Sequence, residues 1–244
     1  MYNFFVKNEH FTEDTIEILG EDVNHIKNVL RMEIGTKIYT TNIETHIKYL
    51  AEIKSFDSEK VECRLIEEVP STELPINITL YQGLHKADKL EFIIEKSTEL
   101  GACKIVPVEM RFSIAKVKNE DKKIVRWNKI AESAAKQSKR NVIPLIEQTI
   151  KVNEMIKELE QYDLILVAYE NESKQTLKDV LAKVPKDKIN NLALIIGPEG
   201  GVDSKEIDLL IQSGAKCISL GKRILRTETA PIALLSMLVY EFEL

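Results

Sequence analysis

The chain is poor in the residues that build metal centres, disulfide frameworks and membrane spans. Its 244 residues hold only three cysteines and four histidines. Cys63, Cys103 and Cys217 lie far apart in mostly apolar, strand-like surroundings. They predict buried, reduced thiols rather than a stapled scaffold. Neither they nor His10, His25, His46 and His85 show ligand spacing, so no metal is expected. No apolar run is long enough to span a bilayer. The opening MYNFFVKNEHF has no basic segment leading into an apolar stretch and a cleavage site. A cytoplasmic protein without membrane association is expected. Neither nucleotide fingerprint, GxGxxG or the lysine-bearing phosphate loop, occurs, and no serine sits in a G-x-S-x-G elbow.

What is present is an ordinary globular composition, 44% apolar and 30% charged, with a net charge of -5. That balance argues weakly against nucleic acid, but it is uneven. From Lys104 to Arg140 stand eleven basic residues, including Lys116 and Lys118, against four acidic ones. Phosphate contacts need such a local basic surface even on an acidic protein. A solvated helix face explains the same run without any partner.

Two textures divide the chain. Residues 1–70 read as short strands with one helical interlude over VNHIKNVLRM, broken at Gly35. TKIYTT, HIKYLAEIKSF and KVECRLIEEV are rich in β-branched and aromatic residues. A small β-barrel or sheet is expected there, and EEVPSTELP is the expected linker. Residues 71–244 alternate strands and helices. INITLYQ, CKIVPVEM, LILVAY, LALIIG and KCISLG are strands. ADKLEFIIEKSTEL, DKKIVRWNKIAESAAKQSK, VNEMIKELE, DSKEIDLLIQSG and APIALLSMLVYEF are helices. Asp203 and Glu206 have capping-box spacing. The alternation predicts an α/β domain with a parallel sheet.

Open α/β sheets bind ligands beyond the C-terminal ends of their strands. Three such ends are conspicuous: LYQGLHK, LIIGPEGGVDSKE and SLGKRILR. Glycines there let backbone approach a ligand or adopt positive φ. The alternative is two tight turns of structural value only. His85 stands near one strand end, where a general base or a merely exposed side chain both fit.

IIGPEGGVDSKEI with ISLGKRILRTETAPIAL resembles the RsmE family of 16S ribosomal RNA (uracil-N3)-methyltransferases, of the SPOUT class. KADKLEFIIEKSTELGACKIVPVEMRFS, WNKIAESAAKQSKRNVIP and NHIKNVLRMEIGTKI extend the resemblance, in order, over nearly the whole chain. The chain departs from the family pattern at Asn24, at Thr41–Asn42 and at Lys136.

The resemblance implies an N-terminal PUA-like RNA-binding β-barrel over 1–70 and a SPOUT methyltransferase domain with a trefoil knot over 71–244. It implies S-adenosyl-L-methionine as cofactor and 16S ribosomal RNA, within the small subunit, as partner, with methylation at N3 of a uridine. A homodimer is implied too. Another RNA or position, or a non-catalytic assembly role, is the alternative. The implied cofactor residues are Leu80, Gly83, Ile196, Gly197, Pro198, Glu199, Gly200, Gly201, Ser219, Leu220, Gly221, Ile224 and Leu225. Arg226 is the expected stabiliser of developing charge. Glu228 is expected to orient it, to take the proton, or only to satisfy a helix N-terminus. RNA contacts are expected from His25, Arg31, Arg111, Arg126, Lys129, Gln137, Lys139 and Arg140.

Overall fold

The computed structural model describes every residue except 86 and 116–118, so Lys86, Lys116 and Lys118 lie outside the described residues. The chain divides into two compact units: Met1–Glu73 with Ala135–Ile143, and Leu74–Ala134 with Pro144–Leu244. The segment 135–143 thus belongs to the first unit, whereas the sequence division at residue 70 left it in the second.

In the first unit, β1 (Asn3–Val6), β2 (Thr15–Leu19), α1 (Glu21–Asn24), β3 (Lys37–Asn42), β4 (Lys48–Phe56) and β5 (Lys60–Val69) form a sheet of order β1-β3-β4-β5-β2. Only β1 and β3 pair in parallel. Two register shifts along β4 increase the local twist, and the edge strands β1 and β2 come together in a barrel-like curl. Alternating side chains fill the inside: Phe4, Ile16, Ile18, Ile38, Ile53, Val61 and Cys63, closed by Val23 and Ile26. The expected helical interlude is α1 followed by a π-helical turn, His25–Val29, that ends at Arg31 with φ 50°.

The expected linker is tied down at its end rather than loose. The Glu73 carboxylate accepts hydrogen bonds from the amides of Asn141 and Val142 and pairs with the Arg140 guanidinium. Asn3 donates to the Arg140 carbonyl, and Lys136 pairs with Asp22 at 2.9 Å. Lys48, buried, donates to the Lys139 carbonyl and to Thr72. Burial lowers its pKa to about 8, with Glu73 opposing the shift.

In the second unit come β6 (Asn77–Gly83), α2 (Ala87–Glu99), β7 (Ala102–Glu109), α3 (Glu120–Gln137, whose last turn lies in the first unit), β8 (Leu145–Ile146), β9 (Ile150–Lys151) and α4 (Val152–Glu158). They are followed by β10 (Leu164–Ala168), α5 (Leu177–Leu181), β11 (Asn191–Ile196), α6 (Ser204–Gln212), β12 (Lys216–Ile218) and α7 (Thr229–Phe242). The sheet has order β12-β10-β11-β6-β7-β8, with β9 also on β7, and every pairing is parallel. Both faces are covered, which is why the strands read as unbroken apolar runs. Tyr81, Val106, Ile165, Val167, Ala193 and Ile195 meet Met155 of α4 and Ile207 and Leu210 of α6. On the other face α2 and α7 pack together, with Leu90, Ile93, Ile94, Leu234, Leu235 and Leu238 buried.

β6 starts one wing of the sheet, yet its other neighbour is β11 from the second wing. This is a switch point, where a crevice opens beyond the strand ends. Among the described residues no helix is long and apolar enough to cross a membrane.

Candidate active site

Four strand ends build the site, one more than the sequence singled out. After β6, Gly83 lies against the backbone of Gly197 and Pro198, where any Cβ would collide. After β11, the amide of Gly201 closes a turn onto the Pro198 carbonyl at 3.0 Å, and Gly201 holds φ 77°. After β10 come Tyr169 and Glu170. After β12, the Ser219 amide donates to the Gln175 carbonyl at 2.8 Å, and Gly221 follows at φ 110° with open space around it. Side chains rarely adopt such φ, so glycine is required at Gly201 and Gly221 for conformation and at Gly83 for contact.

Two clefts result. The first, of about 140 Å³, is walled by Ala168–Glu170, Ile196–Pro198, Gly201, Ser219–Leu225, Thr227 and Ala230. The second is lined by Lys89, Glu170, Pro198–Gly201 and Ile224–Glu228. Of the residues implied for the cofactor, nine stand in the first cleft: Ile196, Gly197, Pro198, Gly201, Ser219, Leu220, Gly221, Ile224 and Leu225. Glu199 and Gly200 line only the second. The Leu80 side chain is fully buried and lines neither cleft. Gly83 supports the loop from behind without lining either cleft.

Arg226 and Glu228 stand together at the second cleft, 3.8 Å apart. The Arg226 side chain is 81% exposed. Glu228 precedes α7 but makes no side-chain cap; its carboxylate faces Arg226 and, at 3.5 Å, Lys89. Lys89 also meets Glu199 at 2.5 Å, and that hydrogen bond is the main reason its pKa is raised. The capping box expected of Asp203 and Glu206 is half made. Asp203 accepts from the Lys205 amide, but Glu206 turns to the Arg111 amide.

Behind these groups lies a buried polar cluster that sequence reasoning touched only through His85. The Thr227 hydroxyl donates to the Gly197 carbonyl at 2.7 Å and meets His85 Nε2 at 2.8 Å. The Gln82 amide closes on the same nitrogen at 3.0 Å. His85 Nδ1 and Gln82 Oε1 are buried without partners. Burial lowers the His85 pKa below 6.5; Glu199 and Glu228 oppose the shift and Lys89 adds to it. Thr227, Lys89, Gln82 and Glu170 were missed. The strand-end rule applied to LILVAY would have found Glu170.

The expected RNA residues are scattered over both units. In the first, Arg31, Gln137 and Lys139 are exposed, and His25 is half-buried edge-on to Phe4. Arg140 is a correction: it is 3% exposed and forked onto Glu73, so its charge is held inside. In the second, Lys129 is exposed, Arg126 pairs with Glu91 at 2.6 Å, and Arg111 pairs with Asp203 at 3.3 Å.

Comparison with known proteins follows this anatomy. An RNA methyltransferase domain model matches residues 72–239, and an RNA methyltransferase PUA domain model matches residues 18–66. The chain is 38% identical over 237 residues to the ribosomal RNA small subunit methyltransferase E of Bacillus subtilis, covering 94% of this chain and 91% of that one. It is 33% identical over 239 residues to the protein of the same name from Mesomycoplasma hyopneumoniae, covering 97% and 98%. The crystal structure of the Neisseria gonorrhoeae ribosomal RNA small subunit methyltransferase E bound to S-adenosyl methionine superposes with a TM-score of 0.85 at 28% identity, over 99% of this chain and 98% of that one.

Proposed function

Since the chain belongs to the ribosomal RNA small subunit methyltransferase E family, S-adenosylmethionine-dependent rRNA methyltransferases, we propose that it methylates N3 of one uridine in 16S ribosomal RNA. The observation that carries this reading is the shared wall of the two clefts. Glycine-rich loops form one side, and Arg226 with Glu228 stands on the other.

The first cleft fits an adenosine-bearing cofactor. Gly221 leaves open space at positive φ, and Ile196, Leu220 and Leu225 offer apolar surface. Bound there, S-adenosylmethionine supplies an electrophilic methyl group on a cationic sulfur. The chain's own residues do the rest. Uridine N3 is protonated at neutral pH and becomes nucleophilic as that proton leaves, with negative charge spreading to O2 and O4. Arg226 offers that oxygen a rigid, permanently charged fork of donors. Glu228, held between Arg226 and Lys89, orients the guanidinium and stands where it can receive the proton. Thr227 anchors this segment to the glycine loop.

The first unit serves as the RNA-binding module. His25, Arg31, Gln137 and Lys139 there, with Arg111, Arg126 and Lys129 in the second unit, supply polar and phosphate contacts, so binding weakens with salt. The RNA is met within the small ribosomal subunit, in the cytoplasm. A second copy of the chain covers the apolar groove formed by Leu177, Ala233, Met237 and Tyr240, giving a homodimer of about twice 27.9 kDa. Trefoil threading of the chain through the β10–β12 loops belongs to the same reading.

Nucleoside mapping of ribosomal RNA from cells with and without the gene tests the proposal. Loss of one 3-methyluridine from 16S ribosomal RNA is expected. An unchanged modification pattern contradicts it.

A further inference from the structure

Three carboxylates line the second cleft, and two of them are neutralised. Glu199 pairs with Lys89 at 2.5 Å, and Glu228 stands between Lys89 and Arg226. Glu170 has no hydrogen bond or ion pair among the described residues. It is also one of the few side chains that line both clefts. Its carboxylate lies against Gly201, where a Cβ would meet it. Glycine there makes room for Glu170 as well as for the positive φ.

An unpaired negative charge beside a substrate-binding wall attracts positive charge. If the first cleft holds the methyl donor and the second the acceptor, the methyl group crosses the boundary where Glu170 sits. The sulfur next to that methyl is cationic in S-adenosylmethionine and neutral in the demethylated product, S-adenosylhomocysteine. The geometry points to Glu170 as the residue that recognises the sulfonium charge and so favours the donor over the spent product. This rests on the cofactor reading of the first cleft. It assigns Glu170 a specificity role that neither the glycine loops nor Arg226 performs, since the loops read parts that both molecules share.

The test is calorimetric titration of the full chain with three ligands: S-adenosylmethionine, S-adenosylhomocysteine, and sinefungin, whose amine replaces the sulfonium with another cation. For Glu170→Gln, binding of the two cationic ligands is expected to weaken about fivefold, the size of a partly exposed ion pair, with the neutral product unchanged. Glu170→Asp keeps the charge and is expected to retain part of the preference. Raising salt should narrow the wild-type preference and leave the Gln variant flat. Equal weakening of all three ligands overturns the inference, because Glu170 then contacts the shared amino or ribose groups. Unchanged affinity for all three overturns it as well. Failure of the wild-type chain to bind any of them would instead remove the cofactor reading on which it stands.

Discussion

Arg140 and Arg226 stand in different units and show two uses of one side chain. In the first unit Arg140 is almost wholly buried, forked onto Glu73, and surrounded by the satisfied amides of Asn141 and Val142. In the second, Arg226 is 81% exposed and touches one carboxylate at 3.8 Å. The surroundings differ likewise. The polar groups around Arg140 find each other, whereas behind Arg226 the atoms His85 Nδ1 and Gln82 Oε1 are buried without partners. Buried polar groups without partners are costly, so a fold keeps them where something other than stability is served. The first arrangement holds a chain segment in place. The second leaves charge available to a ligand.

The contrast breaks most sharply at Arg140. Arg140→Ala leaves the largely buried Glu73 carboxylate without its counter-charge and should cost about 3–5 kcal/mol of stability, read by urea denaturation. Unchanged stability, with a shallower salt dependence of RNA binding, would return Arg140 to the RNA surface.

Arg226→Ala should do the reverse. Stability should stay within about 0.5 kcal/mol, as for an exposed side chain, while single-turnover methylation at saturating RNA falls about 10²-fold. Arg226→Lys should recover only part of the rate. Full recovery of the alanine variant at high RNA concentration would reduce Arg226 to a phosphate contact.

A smaller effect is expected at Gly221. Gly221→Ala meets no neighbour, but φ 110° strains any side chain by about 1–3 kcal/mol. Cofactor affinity should fall by about tenfold and the melting temperature by a few degrees, about 2–4 °C per kcal/mol of strain. Wild-type affinity would separate this loop from the cofactor site.

The smallest effect concerns His85. Its pKa is lowered by burial, so below pH 6.5 the unfolded chain takes up a proton that the folded chain resists. Stability should therefore be independent of this group above pH 6.5 and decline as pH falls beneath it. His85→Gln should flatten that decline in acid denaturation, and an identical pH profile in both proteins would contradict an imidazole kept neutral by burial.

Much of the architecture was legible because local pattern and tertiary outcome agree. Apolar strand runs gave β6, β7, β10, β11 and β12, and of the face expected inward on α3, Ile124, Trp127, Ile130 or Ala131, and Ala134, the residues Trp127, Ala131 and Ala134 are buried. The glycine loops were legible because only glycine suits those backbones. Failures share one cause: they depend on partners distant in sequence. Nothing near Arg140 announces Glu73, and Glu206 forms no capping box because Arg111 claims it. Leu80 came in only through the resemblance, and its side chain lies in the core. Glu170 follows a strand as informative as the others, but it carries no glycine to mark it.

The most direct measurement is nucleoside mass spectrometry of ribosomal RNA incubated with the protein and S-adenosylmethionine labelled in its methyl group. The expected result is label in 3-methyluridine from 16S ribosomal RNA, abolished when excess S-adenosylhomocysteine competes for the cofactor site and reduced about 10²-fold by Arg226→Ala. Label in a ribose methyl, in another base, or in no nucleoside at all would contradict a site built to place charge on a uracil oxygen.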